Sequence, residues 1–180
     1  MHIQTHILSG WCVGNTVQLA QRERFLCMLA ATLPDLDGLG ILVSQKVYWD
    51  YHHTACHNVF AGLLISAVLT FFSQNRLKAF AVYLSLFHLH LLLDFFGSGP
   101  GWYIVYLWPF SGWLLSYGNA WEFFSWQNFA ALYAFAFWTL YIAFIKKRTP
   151  LEYFLPKTDR KAIDMLLLLG KSKTGKNPPP

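Results

Sequence analysis

Apolar residues run along the chain in stretches separated by polar turns, and the stretch lengths point to helices in a membrane. Residues 7–20 are moderately apolar, interrupted by Gly10, Gly14 and Asn15, and closed by the polar run Gln21, Arg22, Glu23, Arg24. Residues 25–33 form a second, short apolar helix that stops at Pro34, because the residue before a proline is pushed out of the helical region. A connector of mixed character follows over residues 38–50, carrying Lys46. Residues 58–72, 77–96 and 129–145 are clearer candidates, the last closed by Lys146, Lys147 and Arg148. A spanning helix needs ~20 residues, with a usual range of about 17–25. Two of these three fall short of ~20 residues. The pattern therefore predicts an all-α integral membrane bundle of about five apolar helices, tightly packed, with helix ends near the headgroups.

Between Gly97 and Asn128 the regular pattern gives way to an aromatic-rich stretch that holds five of the eight tryptophans. Trp and Tyr concentrate where the bilayer meets water, so this stretch reads as an interfacial belt or re-entrant cap on the outer face. In a sharper reading it roofs a site and holds a lipid-like substrate, with Glu122, its only ionisable carboxylate, a member of that site. Residues 1–148 form the membrane domain in this reading. Residues 149–180 form a cytoplasmic tail: a surface helix with a short apolar run from Met165 to Leu169, then a disordered Lys/Gly/Pro-rich end.

Composition agrees. The chain is 55% hydrophobic and only 13% charged, about half the ~25% charge of an ordinary soluble domain. Its net charge of +5 lies in short runs beside apolar segments, with no basic stripe interleaved with exposed aromatics, which argues against nucleic acid. Threading the helices up and down brings Arg22, Arg24, Arg76, Lys78 and Lys146 to Arg148 to one side. By the positive-inside rule that side is the cytoplasm, and only Lys46 lands opposite. The three cysteines, Cys12, Cys27 and Cys56, show no CxxC spacing and read as small packing residues, with Cys56 beside His57 the one close to candidate chemistry. No cleavable signal peptide is visible at the start of the chain.

The same threading sorts the histidines. All seven lie at or near one end of the predicted helices, the end opposite the basic residues. Three motifs carry the chemistry. His90 and Asp94 are four apart, so they share one helix face and can hold one cation; the plain alternative is a buried His–Asp hydrogen bond. Inside an apolar span an ionisable pair is costly, which makes function the default reading. His52, His53 and His57 bring three imidazoles within six residues. His53 and His57 ligate together if the helix has begun by then, and His52 joins from a non-helical lead-in; otherwise the segment is a polar helix start capped by Asn58 or Thr54. Asp35 and Asp37 lie two apart on a turn, a pattern that suits zinc or a hard cation but that by itself is usually only a turn. His6 alone is an interfacial histidine, raised in value by its company.

At these residues the chain resembles a family of inner-membrane, predicted metal-dependent hydrolases, many of them SOS-regulated. The resemblance covers roughly residues 1–145 and rests on motifs in order: Thr5-His6, Leu33 to Asp37, His52 to Asn58, His90 to Asp94 and Trp108 to Ser111. The family's His-Arg-Gly-x-Thr-His-Ser block departs here, with His53 and Thr54 in place of its Arg and Gly, and Cys56-His57-Asn58 at its close. The resemblance implies His52 and His57 as ligands, with His53 and His88 as additions. It also implies a remote similarity to zinc-dependent phospholipase C and single-strand nucleases, whose His/Asp-rich sites on helical bundles cleave phosphoesters.

The expectation is a membrane-bound metal-dependent hydrolase with its site on the extracytoplasmic face of the inner membrane. A divalent ion, most simply Zn²⁺, activates water there at neutral pH. Its expected ligands are His6, Asp35, His52, His57, His90 and Asp94. Asp37, His53, His88 and Glu122 form a second set, as bases, further ligands or residues that orient the ligands. The expected substrate is an amphipathic or lipid-linked phosphoester. Two rivals stand beside it: a non-catalytic metal-binding protein, as a sensor or transporter component, and a structural membrane protein whose histidines are interfacial. The apolar inner halves of the helices leave no polar path for a transporter.

Overall fold

The computed structural model describes the backbone of residues 1–172 and the side chains of residues 1–169. Its regular elements, among the described residues, are helices: α1 (Ile3–Thr16), α2 (Gln21–Ala30), a 3-10 segment (Leu33–Leu42), α3 (Gln45–Tyr51), α4 (Val59–Thr70), α5 (Arg76–Gly97), α6 (Trp126–Lys146) and α7 (Pro156–Ser172). The expected disordered end of the tail lies outside the described residues. All five apolar stretches are helices, but the expectation of about five membrane helices needs correction. Among the described residues only α5 and α6 are long and apolar enough to cross a bilayer; α2 with the 3-10 segment makes a third only if that pair, bent by 54°, counts as one span. The reason is length. At 12 residues α4 falls short of the ~20 that hydrocarbon thickness demands.

Local chemistry sets these boundaries. Asn58 and Asn75 cap α4 and α5, each side chain accepting from a backbone N–H three residues on, Ala61 at 2.9 Å and Lys78 at 3.1 Å. Glu23 closes the start of α2 by accepting from Ala20 N at 3.1 Å. Between α2 and the 3-10 segment the ladder breaks before Pro34, and Asp35 N bonds to Thr32 O at 3.1 Å. The connector expected over residues 38–50 is therefore mostly helical, as the end of the 3-10 segment and α3.

Helix α1 packs on α2 and α6, and α4 on α5. The α1–α2 crossing is close enough to require glycine: a Cβ on Gly10 would lie 2.4 Å from the Cys27 carbonyl oxygen, a backbone atom that cannot step aside. The packing brings the start of α1 and the end of α5 together, along with the end of α2, the 3-10 segment and the loop before α4. At the far end of α1, Lys78 and Lys146 donate to the Val17 and Asn15 carbonyls, each at 2.7 Å. These two lysines thus lie at the end of the bundle opposite the histidines, whereas Lys46, paired with Asp50, lies at the histidine end.

The segment expected to begin the tail is docked. Glu152 is buried against α1 and α2, accepting from Trp11 Nε1 at 3.0 Å and from Arg24 Nε at 2.7 Å, with a second contact from the Arg24 guanidinium. The aromatic stretch between α5 and α6 contains no helix. It is held across the site end by an Ile104–Leu115 bridge, by Val59 N donating to Tyr106 O at 2.9 Å, and by Val105 N donating to His53 O at 3.3 Å.

Candidate metal centre

Four segments converge on one buried cluster. Helix α1 delivers His6, the 3-10 segment Asp35 and Asp37, the loop after α3 His52, His53 and His57, and α5 His90 and Asp94. His6, His57 and His90 are fully or almost fully buried, and so is Asp94. Ligand atoms of Asp35, His57, His90 and Asp94 all lie within 4.8 Å of one another, a group able to hold a metal ion.

The hydrogen bonds around that group decide where its protons sit. His90 Nδ1 lies 2.8 Å from the Ala31 carbonyl, which only accepts, so neutral His90 carries its proton on Nδ1 and bares its Nε2 lone pair. His57 Nδ1 lies 2.9 Å from Asp37 Oδ2, which imposes the same tautomer. The two Nε2 atoms face each other at 3.1 Å. Asp94 Oδ2 stands 3.1 Å from His90 Nε2 and 3.5 Å from His57 Nε2, while Asp35 Oδ1 stands 3.7 and 3.8 Å from the same atoms. Two lone pairs and two carboxylates aimed at one point repel unless a positive charge lies among them. A proton on His57 meets that demand minimally. A divalent cation meets it with all four ligand atoms, and the residues present fit one.

Asp37 does not join the four. Its carboxylate bridges two imidazoles, Oδ1 to His52 Nδ1 at 2.8 Å and Oδ2 to His57 Nδ1, and also accepts from Cys56 N at 3.0 Å. A carboxylate behind a ligating histidine fixes its ring and raises its basicity. His52 lies outside the four-ligand group but lines the cavity in front of it, together with Asp35, Asp94 and His53. Asp37, His52 and His57 form a second group able to hold a metal, although both Nδ1 atoms now bond Asp37.

His6 holds the other oxygen of Asp94, with Nε2 3.2 Å from Oδ1, and the Met1 backbone nitrogen contacts that same oxygen. His53 sits at a left-handed φ of 67°, uncommon for a side chain of its size, with Nε2 3.6 Å from Asp94 Oδ2 and a buried Nδ1 that has no partner. Burial, then the charge of His57, holds its imidazole well below the usual histidine range, hence neutral.

Two candidates stand elsewhere. His88 turns away from the cluster and bonds Leu84 O and the Tyr106 hydroxyl, at 2.8 and 2.9 Å. Glu122 sits beside Gly99, in contact with none of the ligand atoms. Sequence reasoning did not single out Tyr48, whose ring stacks on His52 at 4.7 Å, nor the Ala31 carbonyl. The stacking partner had a weak signal, an aromatic four residues before the histidine. The carbonyl had none.

The chain is matched over residues 1–169 by the model of the YdjM inner membrane protein family, and it belongs to that family. No curated protein and no solved structure matches it. Family membership and the apolar helices α5 and α6 make it an integral inner-membrane protein.

Proposed function

We propose that this inner-membrane protein is a metal-dependent hydrolase that cleaves a phosphoester of an amphipathic, lipid-linked substrate at the extracytoplasmic face. The observation that carries the reading is the convergence of His57 Nε2, His90 Nε2, Asp35 and Asp94, with the far nitrogens of both histidines already engaged. A mixed imidazole and carboxylate set suits zinc. A divalent ion in it would supply Lewis-acid activation of water and neutralise charge developing on a phosphoryl oxygen.

The chain's own residues do the rest. Asp37 and Ala31 orient His57 and His90, and His6 steadies Asp94. His52, fixed by Asp37 at Nδ1, lines the cavity, and its other ring nitrogen is the atom left to give or take a proton. Neutral His53 adds a donor or acceptor beside Asp94. The cavity of about 300 Å³ over the cluster is walled by Tyr48, Trp102 and Phe123, aromatic residues suited to the boundary between bilayer and water. That position favours a molecule whose tail stays in the membrane while its head reaches the cluster. The remote similarity of the resembled hydrolase family to zinc phosphoesterases suggests the reaction class, and Lys78 and Lys146 at the opposite end of the bundle suggest the orientation.

The test is elemental analysis of detergent-purified protein, paired with a mixed-micelle panel of lipid phosphoesters. Stoichiometric divalent metal and turnover lost to chelator and restored by Zn²⁺ are expected. Chelator-insensitive turnover, or activity on soluble esters or nucleic acid with none on any lipid, would sink the reading. Metal retained without turnover on any substrate would assign a sensor or transporter component instead.

A pH dependence follows from His57. Burial disfavours its imidazolium, but the hydrogen bonds and charges of Asp37 and Asp94 outweigh burial and raise it to about 9. Below that pH the metal-free site holds a proton on His57 that an incoming cation must displace. Apparent metal affinity should therefore rise about tenfold per pH unit up to about pH 9, then level off. Competition titrations against a chromophoric chelator measure this, and a flat profile would remove His57 from the ligands.

A further inference from the structure

Trp102 divides the cleft over the cluster in two. Its indole and the His52 ring line both the inner cavity, where Asp35 and Asp94 are reached, and an outer one of about 460 Å³. The indole stacks on Trp49 at 4.8 Å and 25°, and lies 5.3 Å from His52 and 5.1 Å from His53. It is delivered by a loop with Gly99 and Gly101 at φ of 102° and 88°, values that side chains rarely adopt, on either side of Pro100. The outer cavity is walled by Trp49, Tyr103, Asp50 and Thr54.

We propose that this outer cavity is the headgroup subsite of the substrate proposed above, and that it takes an uncharged, hydroxyl-bearing ring, a sugar or cyclitol. The identity of the group in the inner cavity rests on the hydrolase reading; the chemistry of the outer one does not. Trp49 and Tyr103 are about half exposed or more, at 63% and 48%, so each offers an aromatic surface to a ligand. Asp50 and Thr54 add a carboxylate acceptor and a hydroxyl beside those surfaces, the few polar groups that orient a ligand in a largely apolar pocket. Charge narrows the class further. Asp50 is already paired with Lys46, which removes the unpaired carboxylate that an ammonium headgroup would seek. Lys46 is held in the same pair, so an anionic headgroup likewise finds no unpaired counter-charge there. A hydroxyl-bearing ring escapes both penalties, laying its C–H face on an aromatic ring and donating O–H to Asp50. Two lining residues are common to both cavities, so one molecule can occupy both, with Trp102 as the wall that limits the group beside the scissile bond.

The experiment uses the full-length protein in a detergent without sugar headgroups and reads saturation-transfer NMR and tryptophan fluorescence. The probes are myo-inositol, methyl glucoside and choline, none of which carries phosphate. Both ring probes should bind and choline should not, with or without chelator. Trp49→Ala should weaken ring binding about tenfold and Asp50→Asn should weaken it measurably, both at unchanged metal content. Stronger binding of choline, no binding of either ring, or ring binding untouched by both substitutions would overturn the subsite. Ring binding as described without lipid phosphoester turnover would leave the subsite standing and remove the hydrolase reading. Turnover without ring binding would do the reverse.

Discussion

Replacing Asp94 by alanine is expected to strip the metal from the purified protein and abolish turnover. The two oxygens of Asp94 reach five groups in the cluster. One oxygen faces His53, His57 and His90, and the other meets His6 and the Met1 nitrogen. Its loss opens a ligand position, deletes a negative charge and leaves buried imidazoles without a partner. Disturbing only the residues behind metal ligands typically costs about 10–100-fold in affinity, so losing a ligand should cost at least ~100-fold. His90→Ala should behave alike. Asp94→Asn keeps the shape and removes the charge, which separates loss of ligation from loss of fold. His88→Ala, on the same helix, should keep its metal. Full metal content in both Asp94→Asn and His90→Ala, measured on monodisperse protein, would make the pair structural.

The second large effect lies at the other end of the molecule. Glu152→Ala should destabilise the protein by about 3–5 kcal/mol, because it leaves the Arg24 guanidinium buried without its counter-charge. Both partners are nearly inaccessible, with side-chain exposures of 6% and 9%, and Trp11 Nε1 loses its acceptor as well. Substituting both, as Arg24→Met with Glu152→Leu, should recover most of the loss, since exchanging a buried pair for apolar residues is often neutral or stabilising. Thermal unfolding in detergent provides the measurement. A single substitution as mild as the double one would show that water reaches the pair.

Much of the candidate cluster was legible because its spacing is periodic. His90 and Asp94 announce a shared face by their spacing of four. By the same geometry His88, two residues before His90, points to nearly the opposite face, a signal open to any helical reading. Asp35 and Asp37, two apart on a tight turn, divide their work: one faces the four-ligand group and the other sits behind it. Spacing shows that they diverge but cannot say which is which, since that depends on where the loop bearing His52 and His57 comes to rest. The Glu152 clamp was out of reach, for it joins residues more than 120 positions apart. The helices were found from hydropathy, whereas their role as spans was overcounted, because apolar packing inside a bundle and contact with lipid leave the same pattern in short segments.

The break between α2 and the 3-10 segment has an electrostatic consequence. A straight helix would have spent the Ala31 carbonyl on the amide of Asp35; the bend gives that amide to Thr32 and leaves the carbonyl to His90. The last carbonyls of a helix carry the negative end of its dipole, about half an elementary charge. The imidazole of His90 is therefore wedged between that negative pole and the place where a cation would bind. The kink that keeps α2 from spanning as one straight helix turns its end into a fixed counter-charge, present whatever the pH, with no further carboxylate buried to provide it.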